Sequence, residues 1–349
     1  MKIALITDQH FGVRNDSIQF HEYYRKFYEE FFFPTLREMG VTDIVELGDI
    51  FDRRKYVNFD TLSRCRNYFF DPIARDGLSL HCIVGNHDIY FKNTNRVNAP
   101  DLLLGEFDLH VYSDPQDVEF DGTSILMMPW INSQNYDVAM YAIEQSKSDI
   151  CLGHLEFRGF EMYRGAVIDH GLSHKAFQKF DMVCSGHFHH KSTKDNINYL
   201  GAPYEMTWSD YDDPRGFHIF DTETKELQYF QNPYIMFHKV FYDDTLGEEV
   251  LKQDFDKLKD THVKVVVKNK DNPYLFDLYI DKLNASNPAH MQVVEDNFNL
   301  DLEDDENIVD EAEDTITIIR KYIDNLQLSD NKPMNDLFYD LYHEALSNE

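Results

Sequence analysis

The sequence predicts an α/β layered domain, then a small α+β unit, then a pair of C-terminal helices. Three observations carry this. Short runs made almost wholly of apolar residues, such as 3–7 (IALIT) and 80–84 (LHCIV), suit strands covered on both faces. Between them lie segments whose apolar residues recur every three or four positions, as on one face of a helix. After Asn232-Pro233 the rhythm changes to a shorter strand–helix alternation.

Taken in order, strand 3–7 precedes a helical pattern with Phe20, Tyr24, Phe27 and Phe31 on one face. Pro34 is expected to break or kink that helix, and Gly40 to stop it. Strand 43–47 (DIVEL) follows, then a helical pattern near 59–70 and strand 80–84. Further strands are expected at 124–128, 150–152 and 182–184, with a hairpin over 217–230 around Thr222–Lys225. The second unit reads as strand 235–242, helix 246–259, strand 262–268, helix 273–285 and strand 290–295. The acidic stretch that follows reads as a solvated linker. Beyond it, Ile316, Ile319, Ile323 and Leu326 form one apolar stripe, and Leu337, Phe338, Leu341, Tyr342 and Leu346 a second after Pro333. The expected domains are therefore 1–233, 234–296, a linker at 297–314 and a helical pair at 315–349.

Composition narrows the class. The chain has 349 residues, with 33 basic against 63 acidic groups, a net charge of −30. Twenty-seven Phe and 21 Tyr can fill a sizeable core, which excludes a wholly disordered chain. No apolar run approaches the roughly 18–20 residues of a bilayer span. The short apolar run at the N-terminus reads as a strand and not as a secretory leader. Cys65, Cys82, Cys151 and Cys184 form no CxxC pair, so free thiols in a cytoplasmic protein are expected. The acidic balance argues against a nonspecific nucleic-acid coat, but screening lets a local site oppose the net sign. Residues 291–349 hold 3 basic and 17 acidic groups, nearly half of the excess.

Five motifs stand at or just after expected strand ends. They are DQH (Asp8, His10), GDIFD (Gly48, Asp49, Asp52), GNHD (Gly85, Asn86, His87, Asp88), GH (Gly153, His154) and GHFH (Gly186, His187, His189). In open α/β folds the ligand site lies outside the carboxyl ends of the strands. Aspartate, histidine and an asparagine carbonyl suit divalent manganese, iron or zinc. In DQH and HFH the alternate residues would point to one side of an extended chain. Seven such groups can serve two ions if one carboxylate is shared. Asp49 is the natural bridge, since it follows a Gly at a strand end. Each motif alone is weak, because a lone His is more often a core or surface residue; together and in this order they point to a dinuclear metal site.

The series DxH, GD, GNHD, GH and GHxH resembles the calcineurin-like metallophosphoesterases. GAPYEMTW (Gly201–Trp208) and DPRGFHIFD (Asp213–Asp221) make it similar to the SbcD-type double-strand-break nucleases, phage-encoded members among them. The resemblance spans residues 1–230 by motif and the rest by layout. It implies one ion on Asp8, His10, Asp49 and His189, and a second on Asp49, Asn86, His154 and His187, with manganese as the expected metal. It implies that His87 is the catalytic acid–base group, Asp88 orienting its ring or else capping local backbone amides. It also implies single-strand endonuclease and 3′-to-5′ exonuclease activity on DNA, and a homodimer joined through helical segments at 58–70 and 93–107. The partner would be an SbcC-type coiled-coil ATPase bound by the C-terminal helices, and the place of work the cytoplasm, the host's if phage-encoded. Residues 234–296 would be a capping domain that positions DNA. No Walker A motif occurs in the chain, so ATP control would come from the partner.

Other residues have plainer readings beside the functional ones. Arg53, Arg54 and Lys55 either meet DNA phosphates or balance nearby acids, and Arg158, Arg164 and Lys191 are weaker candidates of the same kind. Tyr204 and Trp208 either stack on a base or belong to the core. His190 carries no assigned role. Two rival functions share the motifs: a phosphatase or nucleotide phosphodiesterase on the same fold, and a non-catalytic scaffold that keeps it.

Overall fold

Strand β1 (Lys2–Ile6) shows why the first part of the chain folds in layers. Ile3 and Leu5 enter one buried cluster, while Ala4 and Ile6 enter another on the opposite face. A strand with two apolar faces needs cover on both sides. One face meets a second sheet and the other meets helices. The computed structural model describes residues 1–163 and 166–295, of which 1–294 form one unit. The linker and helices expected over 297–349, and Arg164, lie outside the described residues.

The first sheet runs β14 (Leu227–Gln231), β13 (Gly216–Asp221), β1, β2 (Asp43–Glu46), β3 (Ser79–Ile83) and β4 (Leu109–Tyr112). Strands β1 to β4 are parallel, and the expected hairpin β13–β14 joins antiparallel to β1. The second sheet runs β11 (Ser192–Lys194), β12 (Ile197–Tyr199), β10 (Met182–Gly186), β7 (Ile150–His154), β6 (Thr123–Met128) and β5 (Gln116–Phe120). Its central strands β6, β7, β10 and β12 are parallel. Leu5, Val45 and Ile83 from the first sheet meet Ile125, Ile150 and Cys184 from the second in one core. A two-stranded ribbon, β8 (Glu161–Tyr163) and β9 (Ala166–Val167), follows β7.

Helices α1 (Ile18–Phe27), α2 (Phe33–Met39), α3 (Phe59–Cys65) and α4 (Asp71–Asp76) cover the outer face of the first sheet. Pro34 does not break the run. A wide π turn over Tyr28–Phe32 precedes it, and Pro34 falls in the first turn of α2, where its missing N–H costs no helical bond. A second π turn, Arg66–Phe70, sits before Pro72 in the same way. The two wide turns face each other, with Tyr28 5.7 Å from Tyr68 and 4.9 Å from Phe69 between ring centres. Gly40 ends α2 in the left-handed conformation, as expected. Helix α5 (Ala99–Leu103) falls within the helical segment that the resemblance implied at 93–107, whereas strands β4 and β5 were not legible as elements, being short and mixed in polarity. Helix α6 (Tyr136–Gln145), also unforeseen, buries only Ala139 and Ile143 fully.

The second part builds a three-stranded sheet, β15 (Phe237–Asp243), β16 (His262–Asn269) and β17 (His290–Glu295), with α7 (Pro273–Ala285). Val263, Val265 and Val267 alternate inward to meet Leu275, Phe276, Tyr279 and Leu283. The helix expected over 246–259 is absent. Gly247 (φ 59°, ψ −144°) interrupts it, leaving 3₁₀ segments at Asp244–Lys252 and Asp256–Leu258. This part is tied to the first by the buried Glu205 carboxylate, which accepts the N–H groups of Met236 (2.6 Å) and Phe237 (2.9 Å).

Candidate metal centre

Five loops meet where β1, β2, β3, β7 and β10 end. These parallel strands present their carboxyl ends to one place. His154 is the last residue of β7, and His187 directly follows β10. The side chains form two groups of potential ligands, Asp8 with His10 and His189, and Asp49 with His154 and His187. Asn86 Oδ1 lies 2.9 Å from His154 Nε2. Asp49 Oδ2 stands 3.2 Å from His154 Nε2 and 3.9 Å from His10 Nε2, between the two groups. All seven residues singled out from the sequence are thus brought together.

They do not converge as simple strand alternation would have it. Asp8 (φ 52°), His10 (φ 44°), Asp49 (φ 64°) and His187 (φ 84°) all have left-handed backbones. Such conformations cost of order 1–3 kcal/mol each and persist where the surroundings over-determine them. The packing beneath supplies that. Gln9, between Asp8 and His10, donates to Tyr28 Oη (2.6 Å) and accepts at its carbonyl from Tyr204 Oη (2.7 Å). Tyr204 is fully buried and stacks on Tyr24 at 3.7 Å, so it is core and not a base platform. Clearance is as tight as the backbone. A Cβ at Gly48 would lie 2.4 Å from His154 Nδ1, and one at Gly85 2.2 Å from Asp49 Oδ1.

The rings of His154, His187 and His87 are each held by a partner outside the ligand set. His154 Nδ1–H donates to the Leu47 carbonyl (2.7 Å), which turns Nε2 toward Asp49. His187 Nε2–H donates to Glu156 Oε2 (3.1 Å). His87 donates its backbone N–H to Asp49 Oδ1 (2.7 Å) and its Nδ1–H to the Asp52 carbonyl (2.6 Å). Asp88 therefore does not orient His87. It caps the amides of Gly85 (2.9 Å), Asp49 (2.8 Å) and Ile50 (3.0 Å) and locks the two loops together.

The electrostatics suit cations. Asp8, Glu46, Asp49 and Asp88 form a buried bed of carboxylates. Burial, with Asp49 adding to it, pushes Asp8 up to about 7. Burial and Asp49 likewise lift Asp88 to about 6. At Asp49 burial acts upward too, but His154 and His87 outweigh it and hold the carboxyl well below its usual range. Burial lowers His154, yet Asp49 reverses this and raises it to about 9. His10 and His189 are pushed down by burial, so their nitrogens stay neutral, as ligands must be. His10 Nε2 and His189 Nε2 face each other at 3.0 Å. Oxygen and imidazole donors converging from a buried anionic bed fit divalent first-row metals.

Several expected contacts turn inward. Arg53, in the segment after β2, binds Asp16 (2.6 Å) and Asn15 (3.0 Å) in the segment after β1. Arg54 Nε holds the Asn86 carbonyl (2.7 Å) and so positions a predicted ligand. Trp208 packs on Phe237 (4.8 Å) with Lys264 over its ring (4.4 Å), at the junction of the two parts. His190 Nδ1 pairs with Asp213 (2.9 Å), while buried Arg215 binds Asp210 (2.7 Å), Asp213 (3.0 Å) and the His189 carbonyl. The DPRG motif thus braces the loop that carries His187 and His189. Lys55, Arg158 and Lys191 are exposed. Sequence reasoning missed Glu156, Arg54 as a brace, and Trp130, whose ring lies 4.9 Å from His187. No spacing rule marks them, because each acts through tertiary contact.

A sequence model of the calcineurin-like phosphoesterases matches residues 1–191. Exonuclease subunit 1 of Enterobacteria phage T4 is 31% identical over 353 residues, covering 99% of this chain and 99% of that protein. The SbcD component of nuclease SbcCD from Staphylococcus saprophyticus is 25% identical over 215 residues, covering 53% of this chain and 56% of that one. Its namesake from Staphylococcus epidermidis is 27% identical over 146 residues, 39% and 36% of the two chains. With a family match over more than half its length, this chain belongs to the calcineurin-like phosphoesterases and is a metal-dependent phosphoesterase.

Proposed function

We propose that this protein is the nuclease subunit of a DNA end-processing complex, cutting phosphodiesters with two divalent ions, manganese foremost. The observation that carries the reading is Asp49 standing between two groups of ligands. Asp8, His10, Asp49 and His189 would hold one ion, and Asp49, Asn86, His154 and His187 the other. Bound there, the pair supplies Lewis acidity and offsets negative charge on the phosphodiester. The chain's own residues do the rest. The seven ligands fix the position of the scissile group. His87, its Nδ1–H tied to the Asp52 carbonyl and its ring 4.9 Å from His10, keeps Nε2 for proton exchange with the leaving oxygen.

The near full-length similarity to an exonuclease subunit supports a nuclease with a partner. The SbcCD names of the other relatives favour an SbcC-type ATPase, bound by residues 315–349 across the 297–314 tether. Residues 234–296 would cap the site and position DNA. A homodimer is favoured by exposed apolar residues on two adjoining segments, Phe59 (88% exposed) at the start of α3 and Leu102 (70%) on α5, which meet through Arg66 over the Phe107 ring. The complex would work in the cytoplasm, the host's if phage-encoded; no helix of the described residues is long and apolar enough to cross a membrane.

The test uses purified protein with manganese on a labelled single-stranded circle, a blunt duplex and a chromogenic phosphomonoester. Cleavage of the circle supports the reading. Turnover of the monoester alone favours a phosphatase, and silence on all three, partner included, a scaffold.

A further inference from the structure

The geometry points to Glu156 as a positioning residue that sets the strength of the second metal site, an inference that rests on the dinuclear reading above. An imidazole can bind a metal through only one nitrogen at a time when the other carries a proton. His187 Nε2 is 3.1 Å from Glu156 Oε2, so that nitrogen is the donor and Nδ1 keeps the lone pair. The His187 backbone N–H is itself fixed on Asp8, 3.1 Å from each carboxylate oxygen. Ring and backbone are thus both tied, and Nδ1 is the nitrogen left for the ligand group that His187 forms with Asp49 and His154.

The partner matters as much as the geometry. His154 gives its second N–H to a neutral backbone carbonyl, that of Leu47. His187 gives its own to a carboxylate. A carboxylate draws the shared proton more strongly, leaves more electron density on the far nitrogen, and makes it the stronger ligand. Glu156 sits two residues beyond His154, and its backbone is anchored in the fold. Its carbonyl accepts Leu172 N–H (2.7 Å), which closes the 157–171 loop. Trp130 stands 4.9 Å from the His187 ring on another side and limits rotation. Among the described residues Glu156 Oε1 faces the exposed His170 at 3.8 Å, and the carboxylate's shorter contact is the one to His187 at 3.1 Å. Glu156 touches no reacting atom; its effect passes through His187.

Glu156→Gln keeps the shape and an acceptor oxygen but removes the charge. Titrating full-length protein with manganese by calorimetry should give two ions for the wild type. In Glu156→Gln the second ion should bind roughly 10–100-fold more weakly, with the first unchanged. The spin-coupled manganese-pair signal in electron paramagnetic resonance should fade in favour of a mononuclear one at equal loading. In a His187→Ala background, Glu156→Gln should add no further loss, since the route to the metal is already cut. A merely structural role would weaken both ions or lower thermal stability without splitting them. Unchanged affinities in Glu156→Gln, equal weakening of both ions, or a full additional loss in the His187→Ala background each overturns the proposal. Fewer than two ions on the wild type would overturn the dinuclear reading itself, and this inference with it.

Discussion

At the scale of single residues, Asp49 concentrates the chemistry. It accepts the His87 backbone N–H, approaches His154 and His10, and is the one carboxylate of the buried bed whose pKa is driven down. Asp49→Asn should weaken both ions and abolish turnover, because a neutral amide is a poor bridge between cations. Metal content by mass spectrometry checks this, and two ions with normal turnover would refute it. His87→Ala should keep both metals while cleavage falls about 10²–10⁴-fold. Loss of metal together with activity would instead make His87 a ligand. The proposed ligands were legible as a group because metal chemistry constrains residue type and each lies at or just after a strand end. Their left-handed backbones were not, since nothing in DQH or GHFH announces a positive φ. Nor was the role of Asp88, which turned on whether its carboxylate met a ring or three amides.

Among the elements, the strands β1, β2, β3, β7 and β10 were readable from short runs rich in apolar residues, because burial on both faces leaves little room for polar ones, Glu46 in β2 and His81 in β3 being buried exceptions. Strand β5, QDVEF, fully buries only Phe120 at the sheet edge and so carried almost no signal. Pro34 misled because a π turn re-phases the helix ahead of it. The seam between the two parts carries a pH prediction. His262, at the start of β16, lies 5.5 Å from Phe20 and 5.4 Å from Phe237 between ring centres, and among the described residues none hydrogen-bonds its buried Nε2. Burial first, then His290 and Arg14, lower its pKa to about 4. The unfolded chain, near 6.5, takes up the proton first as pH falls. Its neutral form therefore supports the fold above about pH 6.5, and that support is lost as pH drops toward 4. Melting curves across this window should fall less steeply for His262→Phe than for the wild type, and parallel curves would refute the assignment.

For the whole molecule, every proposed ligand lies before residue 190, and residues 1–294 form one unit. Truncation after Asp296 removes 15 acidic and 3 basic groups and lessens repulsion of DNA. On the proposed function, the shortened protein should still cut single-stranded DNA with manganese at no less than the full-length rate, but lose ATP-stimulated duplex degradation with the proposed ATPase partner. Pull-down and degradation assays on both forms check this, and undiminished coupling would remove the docking role from the tail. The net charge of −30 misdescribes the site's function unless cations are counted with it, since the buried carboxylate bed is what calls for them. Anomalous diffraction at the manganese edge, from crystals grown with the metal, tests that centre most directly. Two peaks about 3.5–4 Å apart, one on each side of Asp49, are the predicted result. A single peak, or a pair that does not share Asp49, would contradict it.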